Sequence, residues 1–113
     1  MRNGLYSTHA RALDGVNWLG GGVAILIDGV IVGGGPYTYY TGSYSFKEGR
    51  LKAEVILNTH TPPPVDSLFY GASNVGVGVT GTYEADEAEL FLTALLRKRS
   101  ISFNMSLKKL ADV

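Results

Sequence analysis

Residues 100–107 read Ser100-Ile101-Ser102-Phe103-Asn104-Met105-Ser106-Leu107. Polar and apolar residues alternate without a break. An α-helix repeats every 3.6 residues and cannot gather Ile101, Phe103, Met105 and Leu107 on one face. A strand does so directly, because successive side chains point to opposite faces. Two further stretches repeat the pattern. Leu51, Ala53, Val55 and Leu57 alternate with Lys52, Glu54, Ile56 and Asn58; Val75, Val77 and Val79 alternate with Gly76, Gly78 and Thr80. Each predicts a strand with one face on a core.

Turn signals separate these runs. Asp28-Gly29 divides Ala24–Ile27 from Val30–Val32, and Asp-Gly is the favoured pair for a two-residue type I′ hairpin. Lys47-Glu48-Gly49 divides a Tyr-rich run from Leu51–Leu57, and Arg97–Arg99 divides Leu90–Leu96 from Ile101–Leu107. Eight strands are expected, at about 4–12, 17–27, 30–34, 37–46, 50–59, 74–83, 88–96 and 100–108. Residues 84–99 admit a second reading. Acidic residues open that segment, basic residues close it, and Ala88, Leu92, Leu95 and Arg99 share a helical stripe, which suits the helix macrodipole. Residues 61–73 hold Pro62-Pro63-Pro64, which cannot donate to a sheet ladder. One helical turn is expected near residues 65–70. Short meandering strands close as a sandwich or a barrel, and eight of them favour an up-and-down antiparallel barrel, which has no free edge.

The 113 residues fit one domain, 1–113. Ten basic residues balance ten acidic ones, against a nucleic-acid binder that works by bulk charge. With 45% hydrophobic residues, the chain is not of the disordered class. It has no cysteine, hence no disulfide and no thiolate metal site. The longest apolar run, Val23-Ala24-Ile25-Leu26-Ile27, is far too short for a membrane-spanning helix. The expectation is a soluble, cytoplasmic protein.

Catalytic patterns are scarce. His9 and His60 are the two histidines, with no second ligand at metal-binding spacing. Gly76-Val77-Gly78-Val79-Thr80-Gly81 fits a dinucleotide fingerprint in letters. That motif must join a strand to a helix, and here it lies inside a strand. Glu84, Asp86, Glu87 and Glu89 form one acidic cluster, read as a solvated turn. No catalytic residue, metal ligand or cofactor is assigned.

Aromatic residues concentrate in one strand. Strand parity places Tyr37 and Tyr39 on one side and Tyr40, Tyr44 and Phe46 on the other, unless Gly42 forms a bulge. Trp18, Tyr37, Tyr39, Val55, Val77 and Phe103 are expected to line the barrel. Tyr40 and Tyr44 are expected on an outer interface, together with Gly76 and Gly78, whose bare strand lets a partner approach closely.

The ordered set Gly4-Leu5-Tyr6-Ser7, Gly20-Gly21-Gly22-Val23, Asp28-Gly29-Val30-Ile31-Val32-Gly33-Gly34, Tyr40-Thr41-Gly42-Ser43-Tyr44, Val55 to His60, Ser67-Leu68-Phe69-Tyr70-Gly71, and Gly81 with Tyr83 resembles the GrlR family. That family is named for a negative regulator of type III secretion in enteric pathogens. The resemblance implies a closed, lipocalin-like eight-stranded barrel that pairs as a homodimer. It also favours strands over a helix in 84–99. It implies no enzyme activity but regulation by protein–protein contact, with a transcriptional activator held by the named member. The chain departs from the family where Gly35-Pro36 follows the Gly-Gly pair, in place of a frequent acid. It departs again at the hairpin Phe46-Lys47-Glu48-Gly49, where the named member carries an acidic tract. That hairpin is the expected partner-binding tip.

Three functional readings follow. The first is a non-enzymatic regulatory binding protein, dimeric, with a protein partner. The second is a carrier or sensor of a small apolar ligand held in the barrel. The third is an enzyme using a Tyr, His60 or Glu54 inside such a cavity.

Overall fold

The computed structural model describes residues 2–12, 21–63, 73–96 and 98–113. The strands are β1 (Gly4–Ala12), β2 (Gly22–Ile27), β3 (Val30–Gly34), β4 (Thr38–Lys47), β5 (Arg50–Thr59), β6 (Val75–Glu84), β7 (Glu87–Leu96) and β8 (Arg99–Ala111). Each pairs antiparallel with the next, and β8 returns to β1, so the sheet closes as an up-and-down barrel. The expected helical turn near 65–70, and the start of the second expected strand at 17–20, lie outside the described residues.

The ambiguous segment forms strand β7 over Glu87–Leu96. In β7 the side chains of Ala88, Leu90, Leu92, Ala94 and Leu96 are all buried, and the residues between them are all exposed. A helical stripe could have buried only some of these five, whereas the period-two pattern buries every one. Ala85-Asp86 makes the turn, with Glu84 paired to Glu87. The Asp28-Gly29 and Glu48-Gly49 turns have positive φ at both residues, as a type I′ hairpin requires. The turns at this end also brace the neighbouring strands. The carbonyls of Gly29, Gly49 and Asp86 accept hydrogen bonds from the backbone N–H of Tyr44, Tyr83 and Lys109, at 2.9, 3.0 and 2.8 Å.

One apolar core lies inside the barrel. It takes Tyr6 and Thr8 from β1, Ala24 and Leu26 from β2, Ile31 from β3, Tyr44 from β4 and the alternating apolar rows of β5 to β8. Small inward residues such as Ala24, Ala53, Ala88 and Ala94 sit among the aromatic side chains of Tyr6, Tyr44 and Phe103. An eight-stranded barrel is just wide enough for side chains of mixed size to fill. Each buried Leu or Val contributes about 1.5–3 kcal/mol through removal from water.

Candidate interaction surface

The pairing register decides where the Tyr-rich strand points. β4 pairs with β5 without interruption from Thr38↔Thr59 to Lys47↔Arg50, so Gly42 forms no bulge. The two sets of aromatics are divided as strand parity requires, but the inward set is the opposite of the expected one. Tyr44 is buried in the core and Tyr40 packs against it; neither is an outer interface residue. Tyr39 points outward and is 44% exposed, so it does not line the barrel. Tyr37 sits half-buried in the bend before β4, off the barrel wall. Its carbonyl accepts hydrogen bonds from the backbone N–H of His60 and Thr61, at 2.8 and 3.2 Å.

Gly33 on β3 leaves room for the inward Tyr40. A Cβ at Gly33 would lie 2.6 Å from the Tyr40 hydroxyl oxygen. Only glycine leaves room for the ring to cross there. The Tyr40 hydroxyl pairs with the buried Thr8, whose Oγ1 also accepts from the backbone N–H of Gly22 at 3.1 Å. Burial pushes the Tyr40 phenol up to about 12, partly offset by the Thr8 hydrogen bond.

Val55, Val77 and Phe103 line the barrel as expected. Trp18 lies outside the described residues. At the Phe46–Gly49 hairpin, Phe46 closes β4's inward row at the barrel mouth. Its ring stacks on Tyr44, with centroids 5.9 Å apart, and meets Tyr83 edge-on at 5.1 Å. Lys47 and Glu48 beside it are exposed, and Gly49 completes the turn. Gly76 and Gly78 face outward as expected. A Cβ at either would meet nothing within 4 Å. An open groove of about 570 Å³ passes over Gly78 between Glu54 and Phe91.

The residues of the enzyme reading do not converge. Glu54 points outward from β5, and His60 is exposed beyond its end. The His60 ring is held at the rim by Thr61 Oγ1 at 2.7 Å and the Gly35 carbonyl at 2.8 Å. Among the described residues no cluster of three metal-ligating side chains occurs. In the acidic cluster, Asp86 takes a bidentate pair from Arg2, with Nη2 at 2.8 and 2.7 Å from the two carboxylate oxygens. That hydrogen bonding holds the Asp86 carboxyl below its usual range.

One apolar surface feature was not assigned from the sequence. Val23, Ile25 and Ile27 on β2, and Val30 and Val32 on β3, all point outward and are 39–47% exposed. Cross-strand pairing places them in rows. The central row runs Leu5, Ile25, Val32, Thr41, Ile56, Gly76 across six strands. On one side lie Ile27, Val30, Ser43 and Glu54; on the other lie Ser7, Val23, Gly34, Tyr39 and Asn58. Glu54, at the margin, is the one ionisable carboxylate or amine in these three rows. The signal was present in Val23–Ile27, an unbroken apolar run. A strand with one solvated face alternates, whereas a continuous apolar strand has two faces to cover.

The fold and this surface define a closed antiparallel barrel with an apolar outer sheet face. In comparisons with known proteins, the chain matches no family model and no curated sequence.

Proposed function

We propose that this protein is a non-enzymatic binding protein that acts by protein–protein contact, in the manner of the GrlR-type regulators it resembles. The observation that carries this reading is the apolar outer face of β2 and β3, with the rows it continues onto β4 and β5, in which Glu54 is the one charged side chain. Contiguous exposed apolar patches mark interaction sites. A closed barrel offers no strand edge for β-augmentation, so a partner must dock on a face or on the turns. In this reading the protein works as a homodimer and holds a further protein, such as a transcriptional activator, out of action. The Phe46–Gly49 tip carries one acid and one base where the named family member is acidic. A partner recruited there is therefore selected by the rigid aromatic Phe46 more than by net charge.

The test is affinity capture with the wild type and with two variants, Ile25→Glu in the face and Phe46→Ala at the tip. The expected result is a protein retained by the wild type and lost by at least one variant, then confirmed with the purified pair by calorimetry. A stoichiometric small molecule in the native mass spectrum, with no protein distinguished by either variant, would overturn the reading in favour of a ligand carrier.

A further inference from the structure

We propose that the groove crossing the outer face of β4–β7 is a carbohydrate site, which takes a neutral oligosaccharide with one ring against Phe91. The groove shares only Ser43 and Glu54 with the margin of the apolar rows, and the inference does not rest on the protein-contact reading.

The lining is the first argument. Cross-strand pairing builds it from two neighbouring outward rows. One runs Ser43, Glu54, Gly78, Thr93; the next carries Lys52, Thr80 and Phe91. All of these positions are exposed and line the same groove of about 570 Å³, a volume suited to a small ligand. Phe91 is 43% exposed and stands in the row beside the bare Gly78. The face of an aromatic ring is electron-rich and attracts the polarised C–H groups on the flat side of a sugar. The Glu54 carboxylate lies directly across from Gly78. Its two oxygens can accept from two neighbouring sugar hydroxyls, and Lys52 supplies a donor beside it. The hydroxyls of Ser43, Thr80 and Thr93 each donate and accept, as sugar hydroxyls do.

The floor is the second argument. Glycine weakens the interior of a strand. At Gly34, Gly42 and Gly81 the packing demands it, because a Cβ there would collide with the backbone oxygen of Thr38, Glu54 or Glu89. Gly78 is different. A Cβ would meet nothing within 4 Å, and its φ is not positive. Neither the fold nor the backbone conformation calls for glycine at this position, whereas close approach of a ligand does.

Other ligand classes fit less well. Strands β5, β6 and β7 are each paired on both sides, so they offer no edge to which a peptide could add as a strand. Lys52 and Glu54 carry opposite charges, which gives a polyanion no net attraction. The groove is open to solvent and would leave much of an apolar ligand in water. A saccharide keeps its outward hydroxyls hydrated.

The probes are cellotetraose, chitotetraose and maltotetraose, titrated into isotope-labelled protein and followed by amide NMR signals. At least one is expected to bind with a dissociation constant of about 0.1–10 mM and to shift the signals of Gly78, Thr80 and Phe91. Phe91→Ala is expected to weaken that binding at least about tenfold. Gly78→Thr is expected to abolish it by filling the floor, while raising the thermal midpoint of unfolding, since threonine suits an exposed strand position. Ile25→Glu, outside the groove, is expected to leave the titration unchanged. Near-ultraviolet circular dichroism checks that the barrel of each variant is intact.

The absence of shifts with all three saccharides at about 10 mM overturns the inference, as do shifts that Phe91→Ala and Gly78→Thr leave unchanged. A Gly78→Thr barrel that unfolds at a lower temperature than the wild type also overturns it, because the glycine would then serve the fold. Tetraglycine shifting the same signals when no saccharide does would overturn it in favour of a peptide.

Discussion

On β2 and β3 the outward positions carry Val23, Ile25, Ile27, Val30 and Val32; on β8 they carry Ser100, Ser102, Asn104 and Ser106. Inside the barrel the two regions do not differ in kind: Ala24, Leu26 and Ile31 face the same core as Phe103 and Leu107. The inward row of a strand is dictated by the need to fill the barrel, so it reports the fold. The outward row is free of that demand. Hydroxyls and amides there are satisfied by water, whereas a row of Val and Ile keeps apolar surface in water at about 25 cal/mol per Å². The difference between the two exteriors is therefore where information about partners resides.

The largest effect tests the shared interior. Leu26→Ala on β2 and Leu92→Ala on β7 each remove a buried side chain. Both are expected to cost about 2–5 kcal/mol in urea-induced unfolding, through lost transfer energy and the cavity left behind. Similar losses, with a single transition for each variant, would show one core serving both regions. A loss confined to one variant would break the comparison, because the two halves would then differ inside as well as outside.

Strand order was legible because most strands alternate and most turns announce themselves. Ser100–Leu107, Leu51–Asn58 and Val75–Thr80 each reported their own inward face. Asp28-Gly29 and Lys47-Glu48-Gly49 marked hairpins that the structure places there. The surface was less legible. Parity separated Tyr39 from Tyr40 but could not say which side was the core. That side follows from the pairing of the whole strand in the closed barrel, and Gly33, on a different strand, leaves room there for the Tyr40 ring. Residues 84–99 were ambiguous because Ala and Leu suit helices and charge followed the macrodipole. Pairing with β6 and β8 overrode both local preferences.

The next effect sharpens the comparison at Tyr40, where a hydroxyl is held within the apolar-faced half. Its phenol is raised from 10.0 to about 12, chiefly by burial. In the unfolded chain the phenol ionises near pH 10, whereas in the folded barrel it stays protonated to about pH 12. The unfolded state thus binds fewer protons over that window, and stability falls as pH rises through it. Two units correspond to about 3 kcal/mol at full development. Tyr40→Phe should unfold less steeply between pH 10 and 12 while losing about 1 kcal/mol at neutral pH with its Thr8 hydrogen bond. An identical alkaline profile for both proteins would mean that water reaches the ring, and that this half of the interior is wetter than its apolar lining indicates.

The smallest effect compares the β2–β3 turn with the β6–β7 turn. The β2–β3 turn has glycine at one of its positive-φ positions, with φ 85° at Gly29. The β6–β7 turn has Ala85 at φ 42°, a conformation that its Cβ opposes. Ala85 is exposed at the tip, so removing its methyl sacrifices no packing. Ala85→Gly should stabilise the barrel by about 0.5–1 kcal/mol, the relief of strain exceeding the added entropy of the unfolded chain. The converse change, Gly29→Ala, should destabilise it by about 1–2 kcal/mol. Thermal unfolding of the pair measures both signs in one experiment. If Ala85→Gly were neutral or destabilising, the strain at the β6–β7 turn would already be offset by its surroundings. The Arg2–Asp86 ion pair and the hydrogen bond from the Lys109 N–H to the Asp86 carbonyl would then be the contacts that set that turn, and Arg2→Ala in the Ala85→Gly background would separate the two contributions.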